Sequence, residues 1–352
     1  MGDPYFASQI NGILACPICA QPFRLKVNEK KNATWLFRDF PGCHDYCEFI
    51  SRKIIHTVQE EAYSHCEECY KEEVIQGDLS CHNGHFFPII AAVPRLQNID
   101  IGILRTKKTF DVEWKVFDYS DKIYGHSQEE ELKDLFRRMV VNERFFYGKT
   151  VLDAGCGIGR ITQSVGELAK EVIGIDFSLG VDEAQILNEN KPNVHILQAD
   201  IMNLPLKLSY FDYVYSKGVL HYVSNTQQCL SGLAETVTPG GALSITIYPK
   251  MKPFFEKFNR LMRKITVMIP IKVIYVMSYL LIPFLALAWK WSGMKGRYIG
   301  WNERAHMIFN WFASEFQNRA SNKEACGWFK KLGFNELRLS NIPVGITGTK
   351  KK

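Results

Sequence analysis

Cysteine and histidine crowd the first quarter of this 352-residue chain, where seven of its ten cysteines lie. They fall into close sets: CPIC (Cys16, Cys19), CHDYC (Cys43, Cys47), HCEECY (Cys66, Cys69) and CHNGH (Cys81, His85). Zinc takes four tetrahedral ligands, usually as two pairs, each on a tight knuckle. CPIC with CHNGH would supply Cys16, Cys19, Cys81 and His85 across an insertion of residues 20–80. The insertion would then hold a second ion with Cys43, Cys47, Cys66 and Cys69. Crossing the pairs, CPIC with HCEECY and CHDYC with CHNGH, serves as well. The spacing predicts one zinc site, and two if both sets are used.

A second constellation begins at VLDAGCGIGR, residues 151–160. Gly155, Gly157 and Gly159 would let the backbone turn sharply after a strand and approach a ligand closely. The spacing is G-x-G-x-G, whereas the dinucleotide fingerprint places its third glycine one residue later. Asp153 precedes the glycines, and an acid there suits a ligand with an ammonium group better than a pyrophosphate. Asp176 ends the next strand and could accept from both hydroxyls of a ribose. Asp200 ends the one after and could meet an adenine amino group. Three acids after three successive strands line the carboxyl edge of a sheet, where open α/β folds bind ligands. His221, in GVLHYV beyond a fourth strand, is placed to take a proton from a reacting group, and serves equally well as a packed core histidine.

The elements that must position these residues differ along the chain. Residues 1–97 are rich in Cys and His and show no long periodicity, which predicts a zinc-ribbon-like domain with an insertion. Residues 98–147 read as a helical linker or cap, with Leu132, Leu135, Phe136 and Met139 on one helix face. From Thr150, short β-branched runs alternate with helical patterns, the signature of βαβ units and a mostly parallel sheet. Strands are predicted at TVLDAG, EVIGID, VHILQAD, FDYVYSKG and ALSITIYP, forming a core over 148–250. An apolar and basic helical insertion follows over 251–325. Residues 326–352 would complete the sheet with a helix and two strands, the last antiparallel.

Together VLDAGCGIGR, VIGIDFS, LQADIMNLPL, FDYVYSKGVLHYV and TPGGALSITIYP resemble class I S-adenosylmethionine-dependent methyltransferases, in the branch acting mostly on small molecules and lipids. The resemblance implies a Rossmann-like α/β fold with S-adenosylmethionine as cofactor. It also implies that Asp153, Gly155 and Gly157 hold the methionine part, and that Asp176 with Phe177 holds the ribose and adenine edge. Asp200 with Ile201 would hold the adenine, and Ser216 with Lys217 would floor the sulfonium. ILACPICAQPF and LSCHNGHFFPIIAAVPRL resemble the halves of a small zinc ribbon that precedes this domain in some bacterial enzymes. HMIFNWFASEFQNRASNKEACGWFKKLGF resembles the C-terminal part of bacterial methyltransferases acting on small molecules and cell-surface glycans. Asn310 stands where that pattern often has an acid.

Val273–Trp289 is uncharged over 17 residues, the lower limit for crossing a bilayer. A single crossing would strand the last sheet elements on the wrong side. Two readings remain, a monotopic helix at an anionic interface and a cap over the active site. Ten Lys or Arg and one acid, Glu256, between Lys250 and Gly300 suit the first. The net charge of +6 permits an anionic partner without demanding one. The N-terminus lacks a basic region followed by an apolar run, so a cytoplasmic protein with reduced thiols is expected, peripheral on the inner membrane face if the helix is monotopic. The expected activity is methyl transfer to a small-molecule, lipid or lipid-linked glycan acceptor. A ribosomal RNA methyltransferase gripping RNA with its zinc ribbon is the first rival. The acids of the head (Glu48, Glu60, Glu61, Glu67, Glu68, Glu72, Glu73) argue against a nucleic-acid partner there. A non-enzymatic scaffold with a degenerate fold is the second rival, and Asp153, Gly155, Gly157 and Asp176 weigh against it.

Overall fold

The computed structural model describes residues 13–32, 46–47, 52–53, 72–98, 104–117, 119, 126–284, 300–342 and 344–352. At its centre, β7 (Thr150–Ala154), β8 (Glu171–Asp176), β9 (Val194–Ala199), β10 (Phe211–Ser216) and β11 (Val237–Thr246) pair in parallel, in the order β9-β8-β7-β10-β11. Every residue of β7, β8 and β9 is buried, as expected of parallel strands covered on both faces. Two antiparallel strands, β15 (Gly345–Lys350) and then β14 (Phe334–Leu339), close the far edge. This is the Rossmann-like α/β sheet with an antiparallel last strand that the sequence predicts.

Helices α2 (Gln128–Met139), α3 (Arg160–Gly166), α4 (Gly180–Asn188), α5 (Thr226–Thr236) and α9 (Asn322–Lys331) accompany this sheet. Helix α2 starts on a capping box: Ser127 accepts from Glu130 N, and the Glu130 carboxylate accepts from Ser127 N. Leu135 and Met139 of α2 are fully buried beside Phe146 and Tyr213, with Leu132 and Phe136 packed at the margin.

The head departs from expectation in being regular. Strands β1 (Phe23–Asn32), β4 (Glu72–Cys81), β5 (Phe86–Ile90) and β6 (Val93–Leu96) form an antiparallel meander, and β6 pairs in parallel with β9. Head and core therefore share one eleven-stranded sheet, β1-β4-β5-β6-β9-β8-β7-β10-β11-β15-β14. An edge strand leaves N–H and C=O groups unpaired, and β6 covers those of β9. The joint is reinforced by Arg95, which donates to Gln198 and forms an ion pair with Asp182 at 2.5 Å. Further contact comes where Ala15 N donates to Pro205 O and Lys207 N to Ile13 O, at 2.9 and 2.8 Å. Within the insertion, β2 (Tyr46–Cys47) pairs with β3 (Arg52–Lys53).

After β12 (Tyr248–Pro249) the chain leaves the sheet as α6 (Pro253–Thr266), α7 (Ile271–Leu280) and α8 (Trp301–Ala313). It returns at β13 (Arg319–Ala320), which pairs with β12. With α1 (Leu104–Val116) these helices build a separate apolar cluster around Phe117, Ile274, Ile282, Ile308 and Phe309. Among the described residues no helix is long and apolar enough to cross a membrane. The apolar run from Val273 is described as far as Phe284. Its Ile274 and Ile282 face the cluster, whereas Val276, Leu280 and Phe284 are exposed.

Candidate functional site

The glycine loop follows β7 and is shaped by a packing constraint. Gly155 has φ +99°, and a Cβ there would lie 2.2 Å from Cγ2 of Val219. Only glycine lets β7 turn so tightly beneath the loop after β10. Gly157 N donates to Asp176 Oδ2 at 3.0 Å, and Ser178 donates to Oδ1 through both its backbone N–H and its hydroxyl. Burial raises the Asp176 pKa against the pull of these three donors. Asp200, at the end of β9, accepts from Met202 N at 2.9 Å.

These groups open onto a cavity of about 850 Å³. Gly155, Gly157, Asp176, Phe177, Asp200, Ile201 and Lys217 all line it. Asp153 and Ser216 do not; they sit behind its wall. Asp153 accepts from the Thr162 hydroxyl at 2.7 Å, and burial pushes its pKa up to about 6. Ser216 is fully buried and donates to Ala154 O. Lys217 lies 3.3 Å from Asp134 of α2, and burial lowers its pKa. Asp134 is also buried, yet Arg137, Lys217 and Arg138 hold its carboxyl down to about 2.

His221 lines the same cavity, 3% exposed and stacked on Tyr248 with ring centroids 3.7 Å apart. Burial, helped by the Arg319 charge, pushes its pKa down to about 3. The imidazole is therefore neutral at physiological pH, and its Nδ1 is buried without a hydrogen-bond partner among the described residues. A neutral imidazole facing a cavity can accept a hydrogen bond, while the burial that disfavours its charged form makes it a weak base.

Part of the wall carries no sequence motif. Thr106, Phe110, Glu113 and Trp114 recur at helical spacing on α1 and roof the cavity. Glu113 is fully buried; its Oε1 lies 2.5 Å from His306 Nε2 and accepts from Asn310 Nδ2 at 3.0 Å, both from α8. The Tyr119 hydroxyl lies 3.2 Å from the same His306 nitrogen. Asn310, where the sequence pattern often has an acid, instead donates to an acid from α1. The α1 spacing was the one available signal, and nothing in it marked Glu113 as more than a surface acid. Arg160, which closes the GIGR turn, is likewise buried and paired with Glu131 of α2 at 2.8 Å.

In the head, Cys16, Cys19, Cys81 and His85 come together, with their donor atoms all within 4.8 Å of one another. Cys19 Sγ lies 3.6 Å from Cys81 Sγ, and His85 Nδ1 lies 3.4 Å from both Cys16 Sγ and Cys81 Sγ. Zinc bonds of about 2.3 Å to sulfur and 2.0–2.1 Å to nitrogen give tetrahedral edges of roughly 3.5–3.8 Å. The three separations above have that size. Cys43, Cys66, Cys69 and the side chain of Cys47 lie outside the described residues, so the proposed second set is not placed.

Residues 152–245 match the family model described as a methyltransferase domain. Uncharacterized methyltransferases of Mycobacterium tuberculosis are 36% identical over 99 residues, which is 28% of this chain and 50% of theirs. A tRNA U34 carboxymethyltransferase of Pseudoalteromonas translucida is 40% identical over 100 residues, 27% of this chain and 31% of that one. A demethylmenaquinone methyltransferase of Shouchella clausii is 27% identical over 173 residues, 45% of this chain and 71% of that one. The chain spans about half the length of the first of these relatives. Their names point to different acceptors, a tRNA in one case and a quinone in another.

Proposed function

We propose that the whole chain, whose residues 152–245 match a methyltransferase domain, transfers a methyl group from S-adenosylmethionine to a small-molecule, lipid or lipid-linked glycan acceptor. One observation carries this reading: the glycine loop, Asp176 and Asp200 open into the same cavity as an apolar chamber formed by Phe110, Tyr222, Tyr248, Met307 and Trp311. Ligand pockets of roughly 300–1,000 Å³ are usual, so about 850 Å³ suits a cofactor with a compact acceptor or one end of a larger one.

The residues present fit the cofactor. A Cβ at Gly155 would meet Val219 and one at Gly157 would meet Trp114, so the loop presents bare backbone at the cavity, and Asp176 and Asp200 offer carboxylate acceptors to ribose hydroxyls and an adenine amino group. Phe177 and Ile201 would bracket the adenine, and Lys217 lies on the floor. Asp153 and Ser216 would act from behind the wall, by holding Thr162 and the end of β7. When bound, S-adenosylmethionine supplies an already activated methyl group, which leaves the protein mainly alignment and exclusion of water. The roof from α1 and α8 would help exclude water. His221, neutral and only weakly basic where it is buried, would accept a hydrogen bond from an O–H or N–H acceptor and so orient it. Glu113, held by His306 and Asn310, would orient a donor group on the acceptor.

Cys16, Cys19, Cys81 and His85 would hold one zinc ion. Four protein ligands close the coordination shell, as in structural rather than catalytic sites. Its service would be to hold residues 13–16 against Pro205 and Lys207, just beyond the adenine-binding positions. An amphiphilic acceptor would be met at the surface of a membrane, and peripheral contact with an anionic leaflet belongs to the same proposal.

The deciding experiment incubates the full chain with methyl-labelled cofactor and separate lipid, small-metabolite and RNA fractions of a bacterial lysate. Label in the lipid or metabolite fraction supports the reading. Label confined to RNA overturns it in favour of the rival substrate. Failure to bind S-adenosylhomocysteine by calorimetry leaves only a scaffold.

A further inference from the structure

Helix α6 is amphipathic in the wrong sense for a helix on a water-soluble surface. One row of its polar residues faces the protein. Arg263 donates to the carbonyls of Trp311 and Ser314, Asn259 donates to Gln317 at 2.7 Å, and Thr266 is buried. Its apolar residues face outward. Phe254, Phe258, Leu261 and Ile265 follow one another at four, three and four residues, the spacing of a single helical stripe. Met268 extends the stripe beyond the helix end, and these five side chains are between 50% and 83% exposed.

We propose that this outward face of α6 docks the protein on an anionic membrane surface, which rests on the reading of the acceptor as lipid-like. Charge complementarity selects that occupant. Lys257, Arg260 and Lys264 lie along one border of the stripe, Lys252 stands at its start and Lys272 just past its end, all exposed. Glu256 is the one acid from Lys250 to Gly300, and it is occupied in accepting from Met251 N. An apolar stripe about 100° wide with a cationic border matches the acyl boundary and the phosphates of an anionic leaflet together. The uncharged run from Val273 was the sequence's own candidate for this contact, but Ile274, Ser278 and Ile282 bury one side of it against α8 and Phe117. The placement also suits delivery. Arg263 ties α6 to the backbone of Trp311, whose side chain lines the cavity.

The test uses the full chain and sucrose-loaded vesicles of phosphatidylcholine, with and without 30 mol% phosphatidylglycerol. The wild type should sediment with the anionic vesicles, weakly with the neutral ones, and less as salt rises from about 0.1 to 0.5 M. The triple variant Phe254→Ser, Phe258→Ser, Leu261→Ser should lose binding at least tenfold while its affinity for S-adenosylhomocysteine stays unchanged, and Lys257→Gln with Lys264→Gln should lose the preference for anionic vesicles. A wild type that ignores both vesicles, or a triple variant that binds like wild type, overturns the proposal. So does a dimer broken by the triple variant without any vesicle binding, which assigns the face to a second copy. Vesicle binding is read without turnover. Docking without labelled lipid would therefore refute the acceptor reading alone, and methylation of detergent-dispersed lipid without docking would refute this proposal alone.

Discussion

Adding one methyl group at Gly155 is a sharp test of how the site is built. In Gly155→Ala the new Cβ would meet Val219 Cγ2 at 2.2 Å, Cγ1 at 2.9 Å and Cβ at 3.0 Å, on a backbone with φ +99°. A rotation of Val219 can withdraw its γ-carbons but not its Cβ, so the loop or the Val219 backbone must shift. Backbone strain of this kind costs about 1–3 kcal/mol. Overpacking costs about another 1–3 kcal/mol. The sum, about 2–6 kcal/mol, is divided between global stability, read by urea unfolding, and cofactor affinity, read by calorimetry with S-adenosylhomocysteine. Moving the loop would also strain the Gly157 N to Asp176 hydrogen bond, so affinity should fall at least tenfold. Val219→Ala removes the γ-carbons alone. Paired with Gly155→Ala it should restore the γ-carbon part of the packing share and leave the Cβ contact and the strain, a coupling of about 0.5–3 kcal/mol in a double-mutant cycle. Gly155→Ala within about 0.5 kcal/mol of wild type, with unchanged affinity, would refute the reasoning; additive single variants would refute the Val219 contact.

Three further outcomes are expected. Protein purified without chelator should carry at least one equivalent of zinc. Cys81→Ser should lose the ion of the Cys16, Cys19, Cys81 and His85 cluster, and should bind S-adenosylhomocysteine severalfold more weakly because Ile13 and Ala15 brace Pro205 and Lys207; a wild type free of zinc would sink the metal assignment. The His221 pKa of about 3 lies below its ordinary 6.5, so between those values the unfolded chain binds a proton that the folded chain excludes, and stability falls as pH drops. At about 1.4 kcal/mol per pH unit, His221→Asn should flatten the acid limb of a urea-midpoint profile by up to about 5 kcal/mol, and parallel wild-type and variant profiles would contradict a buried neutral imidazole. Glu113→Gln should lower kcat/KM for the acceptor by roughly 10- to 100-fold, the loss of one charged hydrogen bond, with cofactor affinity held within twofold. An equal fall in both, or in neither, would remove Glu113 from the acceptor wall.

Much of the core was legible because its signals are local. A strand buried on both faces must be apolar along its length, so VLDA, VIGI and HILQA announced β7, β8 and β9 without reference to the rest of the chain. Acids at the ends of successive strands and glycines after the first are set by the same short stretches. The CPIC and CHNGH knuckles were equally local, each a tight turn carrying its own donors. That these two share a cluster is a matter of tertiary structure: β1 and β4 run antiparallel and bring Phe23 opposite Cys81, closing the distance that residues 20–80 open in the sequence.

What the sequence by itself determined was therefore the order of the strands' apolar runs, the chemistry at their carboxyl ends and the donors of the head. Only the tertiary structure decided who faces whom. Glu113 sits on a helix of low mean hydrophobic content and looks solvated until α8 brings His306 and Asn310 against it. Asp153 and Asp176 look alike as strand-ending acids, yet one lies behind the cavity wall and the other on it. Strand β6 reads as the tail of a separate domain, and becomes part of the core by capping the free edge of β9. The stripe on α6 could be read as an ordinary core-facing face, and only the partners of Arg263 and Asn259 reveal that it points outward. The physical reason is common to all four. Periodicity fixes which residues share a face, but which face is buried depends on surfaces supplied by distant parts of the chain.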